Sequence, residues 1–151
     1  MLSLVQIYSA LADDNHVGYY YPEPQSSETY VSRLNVMPSM DKRSRVGFLI
    51  GLNKQQMDRA YPPPYHIFAK GYHAQKMILV ATGGGRYDTL YRLRALLASL
   101  TSQARTSPLF EQTLQPENLN FFDLARMAGF TQVTVSDGHL LAHRINLLSA
   151  N

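Results

Sequence analysis

Two short stretches near the C-terminus alternate between apolar and polar residues, and this pattern constrains the fold more than any other part of the sequence. Residues 131–136 place Val133 and Val135 between polar neighbours, and the pattern resumes after Asp137 and Gly138. On the return, every second position is filled by Leu141, His143, Ile145 and Leu147. A period of two puts alternate side chains on one face of a strand, and Asp-Gly is a strong signal for a type I′ turn. The sequence therefore predicts a C-terminal β-hairpin.

The segment just before this hairpin is typical of a short helix. Asn120 is a good N-cap residue, because its side chain can accept a hydrogen bond from the first helical turn. Gly129 suits the residue after the helix, where the backbone often takes a positive φ. We therefore expect a helix over residues 121–129 that leads directly into the first strand of the hairpin.

The same residues allow a second interpretation. Counted from Phe121, the small residue Ala125, the glycine Gly129 and the apolar Val135 have the spacing of a helix-turn-helix. The segment resembles the DNA-binding motif of lactose-repressor-type transcription factors. That resemblance implies a second helix that contacts DNA through Thr131, Gln132 and Ser136. Gly138 would cost such a helix about 1 kcal/mol relative to alanine, so the hairpin is the favoured interpretation and DNA binding the alternative.

The rest of the chain predicts an α+β domain. Helices are predicted over residues 2–12 and 87–104, and strands over 17–21, 29–37, 46–52, 65–70 and 76–82. Three prolines at 62–64 require an extended surface connection, because proline lacks an N–H donor and fixes φ. Strands follow one another without regular βαβ alternation, which favours a mostly antiparallel sheet with two to three helices in a single domain, residues 1–151.

Composition excludes some kinds of chemistry. The chain has no cysteine, so disulfides and thiolate sites are absent, and no apolar run approaches the length of a membrane span or signal peptide. The net charge is +3, which favours acidic partners only mildly. His139 and His143 are four residues apart, but in a strand this spacing does not form a metal pair. We expect a cytoplasmic protein that uses no metal and no cofactor and contacts no membrane.

A glycine turn offers a candidate anion site. Residues 77–88 suggest a strand, then Gly83, Gly84, Gly85 and Arg86, then a helix start, an arrangement that presents backbone N–H groups to an anion. The segment lacks the Lys-Ser/Thr ending of a P-loop. Residues 84–88 also resemble a signature of histidyl-tRNA synthetases, although the chain is too short to contain the catalytic domain of that class. The turn therefore supports, as a second alternative, binding of a phosphate or nucleotide.

Tyrosine is abundant, with ten residues in the chain, and tyrosine-rich surfaces suit contacts between proteins. The predicted contact residues are Tyr19, Tyr20, Tyr21, Tyr61 and Tyr65. Should the protein bind nucleic acid instead, further contacts are predicted from Lys42, Arg43, Arg45, Arg92 and Arg94. No catalytic constellation is visible in the sequence, so an enzyme is left open but not favoured. The sequence thus predicts an accessory protein that acts by binding another protein through a tyrosine-rich, mildly basic surface.

Overall fold

The computed structural model of the protein describes residues 21–61, 65–82, 84–108 and 118–150. Five strands are present in this part of the chain: β1 (Ser26–Ser32), β2 (Tyr65–Lys70), β3 (Lys76–Ala81), β4 (Gln132–Ser136) and β5 (Ala142–Ser149). The helices are α1 (Lys42–Met57), α2 (Leu90–Arg105) and α3 (Phe121–Met127), with a short 3₁₀ helix at Gly84–Tyr87. The elements confirm the predicted α+β class and its single domain.

The strands form one sheet in the order β1-β5-β4-β3-β2. The neighbours β2–β3 and β4–β5 are antiparallel, whereas β3–β4 and β1–β5 are parallel. The sheet is therefore mixed rather than mostly antiparallel as predicted. The reason is the connections: α2 and α3 lie between β3 and β4, and such a crossover allows two neighbouring strands to run in the same direction.

One face of the sheet carries the main hydrophobic core. Alternate residues of β3 and β4, including Leu79 and Val135, pack in one buried cluster with apolar side chains of the three helices, such as Leu52, Leu100 and Leu124. The other residues of β3, among them Ile78 and Val80, are buried as well. A central strand buried on both faces is expected to be a continuous apolar run, which is what residues 77–81 are.

The predicted strand over residues 46–52 is wrong, because this segment belongs to α1. Its buried residues are spaced as one face of a helix requires: Arg45, Phe48, Leu49, Leu52 and Gln56. Asp41 is the N-cap of this helix, and its side chain accepts a hydrogen bond from the backbone N–H of Ser44. A strand buried on both faces would have buried the whole run, whereas Ile50 within it is 61% exposed.

The C-terminal hairpin is confirmed, and with it the predicted short helix. β4 and β5 pair antiparallel, Asn120 caps α3, and Gly129 follows the helix with φ 92°. The connection differs from the predicted two-residue turn, since residues 137–141 form a longer loop. Asp137 explains this loop, because its Oδ1 accepts hydrogen bonds from three successive backbone N–H groups, at residues 139, 140 and 141.

Other predictions are met in part. The hairpin over residues 65–70 and 76–82 is confirmed as β2–β3. The helix α2 starts three residues later than predicted, because Thr89 is its N-cap. The strand predicted at 29–37 lies earlier, at β1. The helix at 2–12, most of the strand at 17–21 and the three prolines lie outside the described residues. Among the described helices, none is long and apolar enough to cross a membrane.

Candidate functional site

The outward side of α1 carries large apolar side chains that are exposed, Ile50 and Met57. Its residues recur every three or four positions, so they form one stripe opposite the buried face of the helix. We call this stripe the α1 face, and it consists of Arg43, Val46, Gly47, Ile50, Lys54 and Met57. Ile50 is 61% exposed, although isoleucine is among the residues most often buried.

An open groove of about 640 Å³ runs along the N-terminal half of the α1 face. Its lining is formed by Asp41, Lys42, Arg43, Val46, Gly47 and Ile50. A Cβ atom built on Gly47 or on Gly51 would meet nothing within 4 Å, so another chain can approach the backbone of α1 closely there. The groove thus combines apolar side chains, bare helix backbone and two cations.

Exposed tyrosines flank this surface at both ends. Tyr72 lies in the β2–β3 turn and is 84% exposed, and the ammonium of Lys42 sits 5.6 Å from its ring centre. Tyr61 is 83% exposed and follows Met57, the last residue of α1, by four positions. Tyrosine and arginine are enriched among the residues that dominate binding energy at protein interfaces. The surface therefore has the residue types of a protein-binding patch.

Charge on this surface is mainly positive. Lys42, Arg43 and Lys54 are exposed. Asp41 also lines the groove, and its carboxylate accepts hydrogen bonds from the backbone and hydroxyl of Ser44, which lower the pKa of Asp41 below its usual value. A second acid, Asp58, follows Met57 at the other end of the helix. The α1 face consequently favours a ligand that carries negative charge.

The predicted tyrosine contacts are distributed unevenly. Tyr61 is exposed, and Tyr21 is half-buried with its hydroxyl 3.2 Å from the amine of Lys70. Tyr65 is only 1% exposed, and its hydroxyl binds the side chains of Gln56 and Gln103, so it belongs to the core. Burial raises the pKa of that hydroxyl. Tyr19 and Tyr20 lie outside the described residues.

The predicted basic contacts do not gather on one face. Arg45 is buried and donates two hydrogen bonds to the carbonyl of His73. Arg92 pairs with Asp88, and Arg94 pairs with Glu28. Of the five, only Lys42 and Arg43 lie together in the groove of α1.

The segment that resembles a helix-turn-helix contains no second helix. Gln132 and Ser136 are the first and last residues of β4, and Thr131 lies just before it. Gln132 bonds to Asn146 of β5, and the Ser136 hydroxyl bonds to the carbonyl of Leu141. A recognition helix over these residues is therefore wrong, because strand pairing holds the backbone extended. At the glycine turn, Gly84, Gly85 and Arg86 belong to the 3₁₀ helix and Gly83 is outside the described residues.

A second cluster, which the sequence did not reveal, lies where β1 and β5 begin. Ser26 is directly beside His143 in the parallel register, and its Oγ is 2.7 Å from His143 Nδ1. Oε2 of Glu28 lies 3.5 Å from His143 Nε2 and also pairs with Arg94. His143 is 4% exposed, while Ser26 is exposed. No sequence signal could have joined these residues, because Ser26 and His143 are 117 positions apart.

A buried carboxylate, Asp123, ties the other end of β1 to α3. It accepts hydrogen bonds from Tyr30, from Ser32, from the backbone and guanidinium of Arg33, and from the backbone of Asn120. Burial opposes ionisation of this carboxyl, but the hydrogen bonds outweigh burial and hold its pKa below the usual value. Burial also raises the pKa of Tyr30. This network is structural, because its groups satisfy one another.

Fold and surface together define an α+β domain with a mixed five-stranded sheet and one exposed, mildly basic helix face. Comparison of the chain with models of protein families, with curated proteins and with solved structures finds no match. Within the residues that the structure describes, no group of three or more histidines, aspartates or glutamates is placed to bind a metal ion. Function must therefore be inferred from the surface itself.

Proposed function

We propose that this protein acts by binding another protein, and that the α1 face is the contact surface. The observation that supports the proposal is the groove beside Ile50, where this exposed isoleucine and the helical glycine Gly47 lie next to Lys42 and Arg43. The partner contributes an amphipathic helix whose apolar side packs on Val46 and Ile50 and whose acidic residues face the two cations.

Glycine makes the helix the favoured form of the partner segment. At Gly47 and Gly51 the backbone of α1 is bare, so a second helix can lie close to it and bury a continuous strip of surface. An amphipathic helix in a groove is a recurrent way in which proteins recognise peptides. Its anchors recur at intervals of three, four or seven residues, and the intervals between Val46, Ile50 and Met57 are four and seven.

The positive charge of this surface favours an acidic partner over a second copy of this chain. Self-association through α1 would bring Lys42, Arg43 and Lys54 close to the cations of the other copy, and like charges at an interface oppose association. An acidic partner gains from all three. We therefore propose a different, acidic protein as the partner rather than a homodimer.

Two alternatives have less support. Nucleic-acid binding has less support because, of the five predicted basic contacts, Arg45 is buried and Arg92 and Arg94 are paired with acids, which leaves only Lys42 and Arg43 together. Phosphate binding at the glycine turn would depend on Arg86, the one cation that the prediction placed there. The N-terminus of α2, which could otherwise bind an anion, is already capped by Thr89.

Selection of peptides from a random display library tests the proposal without knowledge of the natural partner. Peptides of about 16 residues, the length of α1, are selected against the wild-type protein, and their affinities are measured by fluorescence anisotropy. We expect binders that are rich in acidic residues and have apolar residues at helical spacing. Ile50→Asp should weaken them at least about tenfold, which corresponds to about 1.4 kcal/mol.

Leu148→Asp is the matched control, because Leu148 is similarly exposed at 52% but lies on β5, away from α1. Binders that tolerate Ile50→Asp as well as Leu148→Asp would overturn the proposal. So would a set of binders without acidic enrichment. Arg43→Glu should weaken binding more at low salt than at high salt, because salt screens exposed charges.

A further inference from the structure

Ser26, His143 and Glu28 have the connectivity of a nucleophile, its base and the acid that orients the base. Ser26 and Glu28 are two positions apart on β1, so both side chains are on the face that His143 of β5 shares. Regular strands hold all three residues, which fixes their relative positions more firmly than loops would. This cluster is separate from the α1 face.

The position of the imidazole proton follows from the two neighbours of His143. Nε2 is buried and has no hydrogen-bond partner, but the Glu28 carboxylate lies 3.5 Å away. A carboxylate stabilises a proton on the nitrogen that faces it. Nδ1 then has a free lone pair, and it is this nitrogen that lies 2.7 Å from the Ser26 hydroxyl. The serine therefore donates its proton toward the imidazole.

Neighbouring contacts hold the cluster in place. The side chain of Gln25 donates a hydrogen bond to the carbonyl of Leu140 and accepts one from the backbone N–H of Ala142, so it joins the start of β1 to the start of β5. On the other side, Arg94 of α2 pairs with Glu28. The buried side of His143 thus faces the acid, whereas its other side meets an exposed serine that a substrate can reach.

We propose that Ser26 is a nucleophile activated by His143, and that the protein hydrolyses small activated carboxylic esters at this end of the sheet. Oγ of Ser26 attacks the ester carbonyl carbon while His143 Nδ1 takes the hydroxyl proton. The bond to the leaving oxygen breaks, and that oxygen departs with the proton. Water then attacks the acyl-serine by the same route, which releases the carboxylic acid and restores the serine. Glu28 and Arg94 are positioning residues.

Ordinary strand packing could also place a serine beside a histidine, and acylation distinguishes the two cases. The wild-type protein is treated with p-nitrophenyl acetate, release of p-nitrophenolate is followed by absorbance, and the acetylated residue is located by peptide mass spectrometry. We expect acetyl on Ser26 and release of more than one equivalent of p-nitrophenolate. Acetylation on lysines or the amino terminus alone would overturn the proposal.

Ser27 provides a control within the same strand. It is exposed like Ser26 but, as the next residue, faces the other side of the sheet, away from His143. Ser26→Ala should remove the acetylation and Ser27→Ala should leave it unchanged. His143→Gln should slow acetylation at least about a hundredfold, as loss of a general base does. Equal labelling of Ser26 and Ser27, or full labelling in a folded His143→Gln variant, would refute the activation.

Glu28→Gln tests the orienting role. The maximal acetylation rate should fall, while the ester concentration that gives half of that rate should stay the same, because Glu28 does not touch the ester. Circular dichroism checks that each variant is folded, and the labelling site in the wild-type protein stands as evidence whatever a variant does. Loss of peptide binding at the α1 face would leave these results unaffected, so the two proposals fail separately.

Discussion

The carboxylate of Asp123 accepts five hydrogen bonds, from Tyr30, Ser32, Arg33 and Asn120. A carboxylate removed from water is costly unless hydrogen bonds replace its hydration. Here a hydroxyl from β1, the guanidinium of Arg33 and backbone N–H groups from two segments provide that replacement. The negative charge also sits at the N-terminus of α3, where the helix dipole favours it.

Asp123→Asn should lower the free energy of unfolding by roughly 2–3 kcal/mol, because it keeps the shape but loses hydrogen bonds to a charged acceptor and leaves buried donors poorly matched. Urea unfolding measures the change. Asp88→Asn is the control, since Asp88 forms an exposed pair with Arg92 and such pairs contribute at most about 1 kcal/mol. Equal losses in the two variants would show that the Asp123 network contributes little.

Low pH should remove the contribution of Asp123 to the free energy of unfolding. Because its pKa is lower in the folded protein than in the unfolded chain, it stabilises the fold fully above the unfolded value of about 3.9. That stability is lost as the pH falls from there through the folded pKa. The difference in unfolding free energy between wild type and Asp123→Asn should therefore stay constant above about pH 5 and narrow as the pH falls below about 4. A difference that stays the same below pH 4 would contradict the assignment.

Sequence identified some of these residues but not their partners. Asn120 was predicted as an N-cap from its type and place, and the structure confirms it with a full capping box to Asp123. The partners Ser32 and Arg33 lie about ninety positions earlier, and no local pattern links them to Asp123. Local hydrogen bonds can be predicted from sequence, whereas contacts across the fold depend on the topology.

At the scale of elements, α2 and α1 show when helical periodicity is readable. In α2 the buried positions are mostly leucines, such as Leu93, Leu97 and Leu100, so the stripe stands out. In α1 the buried face includes Arg45 and Gln56, while Ile50 is outside. Polar residues inside and an apolar residue outside cancel the helical signal, and the remaining run resembles a strand. The same exposed isoleucine is the residue on which the proposed binding surface depends.

The turn after α3 requires glycine. Gly129 has φ 92°, and a Cβ there would lie 2.6 Å from a guanidinium nitrogen of Arg45, which two hydrogen bonds hold in place. Gly129→Ala should therefore lower the free energy of unfolding by about 1–3 kcal/mol. Gly51→Ala is the opposite case, because Gly51 is helical and open, and it should raise stability by roughly 0.5–1 kcal/mol. Thermal unfolding of both variants measures these two changes in stability. Destabilisation by Gly51→Ala would contradict the helical, open position described for Gly51.

For the whole molecule, the sequence predicted the α+β class and both hairpins, but it did not predict that β1 pairs with β5 at the edge of the sheet. A hairpin is a local structure, with its turn residues between the two strands. The parallel pair β1–β5 joins residues more than a hundred positions apart, and it is this pair that assembles the Ser26 cluster. The candidate site at that end was therefore invisible in the sequence. Lys42 and Arg43 of the groove on α1 were among the predicted basic contacts, but Lys54 was not.

Long separation should also show in folding kinetics. Closing a long loop costs entropy before any contact repays it, so β1 should join the sheet after the local β2–β3 pair. Tyr30→Ala in β1 should mainly speed unfolding, whereas Ile67→Ala in β2 should also slow folding. Stopped-flow measurements across urea concentrations give both rates. The reverse assignment of the two effects would show that β1 docks early.

A strand that joins last is the first that can detach, and β1 is held at its C-terminal end by an ionised group. Ser32 and Arg33 donate hydrogen bonds to the Asp123 carboxylate. Protonation of this one side chain therefore weakens the contacts that attach the edge strand β1 to α3. A pH below the lowered pKa of Asp123 should thus loosen one edge of the sheet, and with it the serine and glutamate that β1 carries, while the four remaining strands stay paired.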